Sequence, residues 1–203
     1  MDEAALVSDA RHGDLEAFNR LVLAYQGLAY NIACRILSDP YAAEDVTQSA
    51  FLSAYRNLNK FRGGSFRSWV MRIVTNGCYD ELRRHQRHPE TPLEPLDSDN
   101  DEEMDSPHWL KDENPGPEES YDKQQLHLAV QECLDDLTED FKAVVVLIDI
   151  EGMDYQEVSQ IVDKPLGTIK SRLSRGRFKL KDCLKGIWEQ LPAELRLEAE
   201  ERI

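Results

Sequence analysis

Apolar residues recur at helical spacing along most of this chain, with polar residues between them. From about Leu15 to Leu37 they form one continuous stripe, which predicts a helix of that length. Asp39 and Pro40 then indicate a new helix start, because an Asp side chain caps free backbone N–H groups and Pro suits the first helical position. We expect this second helix to run to about Leu58.

A pair of glycines, Gly63 and Gly64, separates the second helix from a third amphipathic segment. That segment begins near Ser65 and keeps helical spacing as far as Leu82. Three helices of this length, joined by short turns, make a compact bundle. We therefore predict an N-terminal three-helix domain at residues 1–88.

Residues 89–118 differ in composition, being rich in Pro, Asp, Glu, Ser and Asn and poor in aliphatic residues. Such a segment cannot bury enough apolar surface to offset the entropy that it would lose on ordering. We predict that it is a flexible acidic linker.

Helical patterning returns after the linker. Four helices are predicted near residues 119–137, 138–150, 154–162 and 165–187, and together they form a second domain at residues 119–188. Residues 189–203 hold leucines among glutamates and form a C-terminal tail. The predicted fold class is all-α, with an N-terminal three-helix bundle and a C-terminal four-helix domain joined by the flexible acidic linker.

The last two predicted helices have the pattern of a helix-turn-helix. Asp154 is a candidate N-cap with Glu157 three residues later, which is the spacing of a capping box. Pro165 suits the first turn of the next helix, in which Lys and Arg residues surround the apolar Ile169 and Leu173. Two short helices with a cationic second member suit the DNA major groove. A surface helix that is merely basic is the alternative interpretation.

The net charge of -15 would ordinarily argue against a nucleic-acid partner, but the charge is segregated. Residues 56–88 hold eight basic and two acidic residues, and residues 164–185 hold eight and one. Residues 89–122, in contrast, hold one basic and thirteen acidic residues. Phosphate contact depends on local charge, so the two basic segments remain compatible with DNA binding.

The four cysteines, Cys34, Cys78, Cys133 and Cys183, are far apart in sequence and form no C-x-x-C pair. We expect all four to be reduced structural thiols, and no metal site or cofactor is indicated. No apolar run approaches the roughly 20 residues of a membrane span, and no secretory leader follows Met1. The sequence also lacks a Gly-rich phosphate loop and a Ser/His/Asp pattern. We therefore predict a cytoplasmic binding protein without catalytic residues, rather than an enzyme.

With a helical bundle, a linker and a helix-turn-helix in that order, the chain resembles the sigma-70 family of bacterial transcription initiation factors. Within that family it is most similar to the small two-domain extracytoplasmic-function (ECF) group. Three segments carry the resemblance. Tyr41–Phe51 (YAAEDVTQSAF) resembles the family's acidic helix that grips RNA polymerase, and Phe61–Asn76 (FRGGSFRSWVMRIVTN) with Asp80–Arg84 resembles its promoter-melting segment. Asp154–Ser159 (DYQEVS) with Pro165–Arg177 (PLGTIKSRLSRGR) resembles its DNA-reading motif. Asp163 and Lys164 depart from the small or apolar turn that is usual in the family.

The resemblance implies that residues 1–88 are sigma region 2, which recognises and melts the −10 promoter element. It implies that residues 119–188 are sigma region 4, which reads the −35 element. Arg175 could pair with a guanine, whereas phosphate contact and a salt-bridged helix face are both open for Arg172 and Arg177. The residues implied to bind the −35 element are Thr168, Lys170, Ser171, Arg172, Ser174, Arg175, Arg177 and Lys179.

Capture of unstacked bases in the −10 element requires aromatic platforms and cationic side chains. The residues implied for this task are Phe61, Arg62, Ser65, Phe66, Arg67, Trp69, Arg72 and Asn76. Core packing is the alternative for Phe66 and Trp69, whereas we expect Phe61 and the arginines to contact DNA.

The resemblance assigns Glu44, Asp45 and Gln48 to the clamp of the largest polymerase subunit. The implied partners are core RNA polymerase, promoter DNA and an anti-sigma factor. The acidic linker could imitate nucleic acid in a cationic polymerase channel, or it could be a solubilising spacer. A dimeric helix-turn-helix repressor or response-regulator output domain is the main alternative function, but it would not need the acidic helix or the melting segment.

Overall fold

A computed structural model describes residues 2–87 and 128–188 of the chain. Within these two ranges the regular secondary structure is helical, with no strand, which confirms the predicted all-α class. The predicted flexible linker and the C-terminal tail lie outside the described residues.

The N-terminal part contains α1 (Glu3–Arg11), α2 (Leu15–Leu37), α3 (Pro40–Arg56) and α4 (Phe66–Arg87), with a short 3-10 turn at Leu58–Lys60. The bounds of α2 agree with the predicted helix, and the Asp39 carboxylate caps α3 by accepting from the N–H groups of Tyr41 and Ala42. The helix α1 was not predicted, so the expected three-helix bundle has a fourth member.

The C-terminal part begins with α5, a helix described at residues 128–135. It is followed by α6 (Glu139–Val145), which continues into a π-helical turn at Val146–Ile150, and then by α7 (Tyr155–Ile161) and α8 (Leu166–Trp188). Four helices in this part agree with the prediction for the second domain.

The buried apolar residues form one core that runs through both parts. It includes the fully buried Leu21, Ile32 and Phe66 of the N-terminal part, and Leu134, Leu147, Ile161 and Ile169 of the C-terminal part. Gly176 lets α8 approach α6 closely, because a Cβ atom there would lie 2.7 Å from a methyl group of Val145. Close packing therefore sets the position of α8 on its domain.

The two parts also contact each other. Helix α7 packs along α4, while α5 and α6 contact the C-terminal end of α2. At this end, Gln131 donates to the Arg35 carbonyl at 3.1 Å and to the Ser38 hydroxyl at 2.9 Å. Lys142 donates to the Ile36 carbonyl at 3.1 Å and to Asp135 at 2.8 Å, and Ser38 also donates to Asp135. These six residues, Arg35, Ile36, Ser38, Gln131, Asp135 and Lys142, form what we call the polar cluster.

Cys133 and Cys183 form a disulfide between α5 and α8, so the prediction of four reduced thiols is wrong for this pair. Helical spacing within one segment cannot show which cysteines face each other across a domain, and these two are 50 residues apart. Cys34 and Cys78 are free thiols, as expected. Among the described helices, none is both long and apolar enough to cross a membrane.

Candidate nucleic-acid and polymerase interfaces

The helix-turn-helix forms as the capping pattern predicts. The Asp154 carboxylate accepts from the N–H groups of Gln156 and Glu157, each at 2.8 Å, and α7 begins there. Glu157 does not close a capping box; its carboxylate instead reaches the N-terminal part of the chain, where the Ser68 hydroxyl donates to it at 3.1 Å.

The turn accommodates the unusual residues Asp163 and Lys164. Asp163 adopts the left-handed conformation with φ of 54°, which Asp tolerates better than most residues. The Lys164 N–H donates to the Ser159 carbonyl at 3.1 Å, and the Ser159 hydroxyl donates back to the Lys164 carbonyl at 2.6 Å. These reciprocal bonds hold the turn without a small or apolar residue.

Helix α8 presents one polar face to solvent. Ile169 and Leu173 are buried against the domain, as predicted. Thr168 at the start of the helix is half-buried, and its carbonyl accepts from the Ser171 hydroxyl at 3.0 Å. The remaining predicted base readers are all exposed, namely Lys170, Ser171, Ser174 and Arg175.

Three other cations of α8 contact their own domain. Arg172 pairs with Asp140 at 2.6 Å, and Arg177 forms a two-pronged pair with Asp149 at 2.5 and 3.0 Å. The hydrogen bond from Arg177 to Asp149 raises the pKa of that guanidinium. Lys179 lies over the ring of Phe141, 5.7 Å from its centroid. The sequence left phosphate contact and a salt-bridged helix face open for Arg172 and Arg177, and in this structure both arginines form salt bridges.

The aromatic residues of the melting segment pack together. The ring centroid of Phe61 is 5.2 Å from that of Trp69 and 5.9 Å from that of Phe66. Phe61 is only 7% exposed and Phe66 is fully buried in this structure, and contact of Phe61 with DNA stays a prediction. Arg11 of the unpredicted α1 lies over the Phe61 ring at 5.6 Å and so covers it.

Helix α1 also supports the melting segment through Glu3. One Glu3 oxygen accepts from the Phe66 N–H at 2.8 Å, at the start of α4, and the other accepts from the Tyr25 hydroxyl at 2.5 Å. Burial and the Glu3 contact raise the pKa of Tyr25 to about 12. Sequence reasoning missed Glu3, because its role depends on where α1 packs.

The polar residues of the melting segment fall into two groups. Arg62, Ser65 and Asn76 are exposed, and Ser65 accepts from the Ser68 N–H at 3.1 Å. Arg67 and Arg72, in contrast, meet carboxylates of the helix-turn-helix: Arg67 lies 3.4 Å from Glu157, and Arg72 lies 3.0 Å from Asp163.

The loop at Gly63 and Gly64 borders a cleft of about 450 Å³. Both glycines have φ near 90°, a conformation that favours glycine, and Gln160 of α7 lines the far side of the cleft. Tyr79, farther along α4, is also covered by the C-terminal part: its hydroxyl is buried near Asp140 and Arg172, and within the described residues it has no hydrogen-bond partner. Burial raises the pKa of Tyr79.

The predicted polymerase-binding residues lie exposed on α3. Gln48 donates to Glu44 at 3.0 Å, and both line a groove of about 500 Å³ between α2 and α3. Asp45 faces the neighbouring groove between α3 and α4. Sequence reasoning missed the apolar floor of the first groove, where Leu52 is 56% exposed and Tyr55 is also exposed.

Comparison with known families matches both halves of this arrangement. Residues 21–88 match Sigma-70 region 2, and residues 127–180 match Sigma-70, region 4. The RNA polymerase sigma-H factor of Pseudomonas aeruginosa is 33% identical over 181 residues, which cover 89% of this chain and 92% of that protein. The chain belongs to the sigma-70 family. Within it, this is a sigma factor of the ECF group.

Two further relatives agree. The ECF RNA polymerase sigma-E factor of Escherichia coli K12 is 34% identical over 87% of this chain and 91% of its own length. The ECF RNA polymerase sigma factor SigE of Mycolicibacterium smegmatis is 35% identical over 84% of this chain, which spans 62% of that longer protein. As a sigma factor, the chain binds core RNA polymerase and directs promoter-specific transcription initiation.

Solved structures share the fold. CnrH in complex with the cytosolic domain of CnrY has a TM-score of 0.64 and 24% identity, over 90% of this chain and 96% of that one. RpoE of Bartonella quintana in complex with the anti-sigma factor NepR has a TM-score of 0.62 and 24% identity, over 84% of this chain and 98% of that one. At this identity, the likeness establishes the fold alone.

Proposed function

We propose that the sigma factor divides its work between its two helical parts, with residues 1–88 acting as region 2 and residues 119–188 as region 4. The observation that carries this division is the exposed cationic face of α8 on one part and the acidic, partly apolar surface of α3 on the other. The linker at 89–118 and the tail at 189–203 connect and extend these parts. The factor works by binding, without catalysis of its own, in the cytoplasm.

The polymerase contact is proposed for α3 and its groove. Glu44 and Gln48 stand at the rim of the groove, above an apolar floor that includes the exposed Leu52. A helix from the polymerase clamp with basic and apolar residues would complement both the charge and the floor, and opposite charge would steer the encounter. Asp45 would extend the acidic rim toward α4.

The −35 contact is proposed for the exposed face of α8. Lys170, Ser171, Ser174 and Arg175 reach base edges from the N-terminal half of the helix, with Thr168 beside them. Arg172, Arg177 and Lys179 are already oriented by contacts within the domain, so they suit backbone phosphates, which fix the register rather than read the sequence.

The −10 contact is proposed for the loop at residues 62–65 and for α4. Arg62, Ser65 and Asn76 are exposed, while Arg67 and Arg72 are partly exposed and pair with Glu157 and Asp163 of the helix-turn-helix. Phe61 and Trp69 line the cleft with Phe66 packed against them, and Trp69 is the one of these three that is only partly buried. An anti-sigma factor is proposed as the regulator, since two proteins of the same fold are known in complex with CnrY and with NepR.

Run-off transcription with core RNA polymerase tests the proposal. The factor should select start sites from a randomised promoter library, with separate preferences near −35 and −10. Glu44→Lys should lower affinity for core polymerase, whereas Glu132→Lys, an exposed carboxylate of α5, serves as the matched control. Equal affinities for the two variants would remove α3 from the polymerase contact.

A further inference from the structure

The Cys133–Cys183 disulfide has no part in the DNA and polymerase contacts proposed above. It joins α5 to α8, with Cα atoms 5.7 Å apart. Cys133 is fully buried, whereas Cys183 is half-buried and its Sγ lies 4.0 Å from the exposed carboxylate of Asp136. A reagent can therefore approach the bond from the side of Cys183.

The polar cluster depends on the helix that this bond holds. Gln131 and Asp135 stand two residues to either side of Cys133 on α5. Gln131 reaches the Arg35 carbonyl and the Ser38 hydroxyl, and Asp135 accepts from Ser38 and Lys142. Two of the residues that hold region 4 against the end of α2 thus lie on the same helix as Cys133, two residues from it in sequence and on another face of the helix.

Most of the stability of a helix in a protein comes from tertiary packing, so the position of α5 depends on its contacts. The disulfide ties α5 to α8 across 50 residues of chain. A covalent link of that span restricts the freedom of the segment. Without the link, α5 can shift, and hydrogen bonds weaken steeply when geometry is lost.

We propose that Cys133 and Cys183 form a reversible thiol-oxidation site that controls the contact between regions 2 and 4. The oxidised pair fixes α5 and holds the polar cluster together, which keeps the two regions in contact. The reduced pair releases α5, and the contact between the regions opens.

The reductant is a dithiol. Its thiolate attacks the Cys183 sulfur, the S–S bond breaks, and Cys133 leaves as a thiolate that takes up a proton. The second thiol of the reductant then attacks the mixed disulfide and releases Cys183, so that the reductant ends as a disulfide and the protein pair has gained two electrons and two protons. Exchange with a disulfide reagent runs the same steps in reverse.

Opening has a consequence for DNA binding that rests on the proposed function of α4. In the closed arrangement, Glu157 pairs with Arg67 and Asp163 pairs with Arg72. These carboxylates compete with phosphate groups for the two arginines, so opening should raise the affinity of α4 for DNA. The conformational change itself does not depend on that assignment.

The experiment compares the oxidised full-length protein with protein that has been reduced by dithiothreitol and then freed of the reagent without air. Neither DNA nor polymerase is present. Hydroxyl-radical footprinting of Tyr79 reports on the contact between the regions, because its hydroxyl is buried there. Small-angle X-ray scattering gives the radius of gyration, and far-UV circular dichroism gives the helix content.

We expect reduction to raise the labelling rate of Tyr79 on the order of fivefold or more, within the usual range of coupling between sites. The radius of gyration should rise while the helix content stays constant. The double variant Cys133→Ser/Cys183→Ser should behave as the reduced protein under both conditions. The matched control, Cys34→Ser/Cys78→Ala, should keep the full response.

Unchanged labelling and radius on reduction would overturn the inference. A fall in helix content on reduction would also overturn it, since the bond would then be needed to fold region 4 rather than to control its contact. A second arm measures affinity for a single-stranded −10 oligonucleotide. Opening without any gain in this affinity would leave the thiol site in place and would reject the proposed role of α4.

Discussion

The buried ammonium group of Lys142 in α6 donates a hydrogen bond to the carbonyl oxygen of Ile36, near the C-terminal end of α2. The last carbonyl groups of a helix lack intrahelical donors and carry partial negative charge, which a cation satisfies. Region 4 therefore supplies the cap for a helix of region 2. The Lys142 side chain is one of several that join the two parts.

Substitution of Lys142 tests this joint. Lys142→Met keeps the aliphatic bulk but removes the donor to Ile36 and to Asp135. We expect the free energy of unfolding to fall by about 2 kcal/mol, because hydrogen bonds from a charged group contribute about 1.5–3 kcal/mol. Urea denaturation followed by circular dichroism measures the change. Lys164→Met, in the exposed turn, should change stability by less than about 0.5 kcal/mol, and an equal loss there would contradict the argument.

The pH dependence of stability should report on Asp135. Partial burial raises its pKa, but hydrogen bonds from Lys142 and Ser38 outweigh this, so the pKa lies below its usual value. A lowered folded pKa gives stability that is present above the ordinary Asp pKa of about 3.9 and is lost as the pH falls through the folded value. Wild type should exceed Asp135→Asn in stability at pH 7, and the difference should shrink at low pH. A difference that stays constant would exclude this carboxylate as the source.

The close approach of α8 to α6 predicts opposite effects for two glycines of the same helix. Gly176→Ala places a methyl group 2.7 Å from Val145, and we expect a loss of about 1–3 kcal/mol from overpacking. Gly167→Ala meets nothing within 4 Å, so it should be neutral or slightly stabilising because Ala favours helix. Thermal unfolding of both variants checks this, and two stabilising substitutions would mean that α6 yields easily at Val145.

Substitution of Arg175 and of Arg177 in α8 should change DNA binding in different ways. Arg175 is exposed on the predicted base-reading face, so Arg175→Ala should cost about 1–3 kcal/mol in discrimination at one base pair of the −35 element. Arg177 is paired with Asp149, so Arg177→Ala should weaken binding similarly for all sequences and reduce the salt dependence by about one phosphate contact. Affinities for −35 duplexes with single base changes, at several salt concentrations, separate the two outcomes. Loss of discrimination in Arg177→Ala would reverse the assignment.

Local signals in the sequence were enough for most helices. The stripe from Leu15 to Leu37 and the Asp39–Pro40 start gave helix bounds that the structure repeats, because both depend on neighbouring residues only. Asp154 gave the start of α7 for the same reason. The nine-residue α1 was missed because its apolar face is short, and its place is set by contacts such as that of Glu3 with Phe66.

Contacts between segments that are distant in the chain could not be predicted from the sequence. The disulfide pairs residues that belong to separate helical patterns, and nothing in either pattern identifies the partner. Phe61 lies between charged residues in the sequence, yet Arg11 and Trp69 cover its ring in the fold. Arg67 and Arg72 could be recognised as cations, but their carboxylate partners lie about 90 residues away.

The buried hydroxyl of Tyr79 destabilises the arrangement in which the two parts are in contact. Among residues 2–87 and 128–188 this hydroxyl has no hydrogen-bond partner, and a buried polar group left unpaired costs about 1–3 kcal/mol relative to one that water can reach. Separation of the two halves would hydrate this oxygen and recover that energy, which partly offsets the ion pairs that are lost. Core RNA polymerase therefore needs less binding free energy to separate the two parts than the number of hydrogen bonds and ion pairs between them suggests.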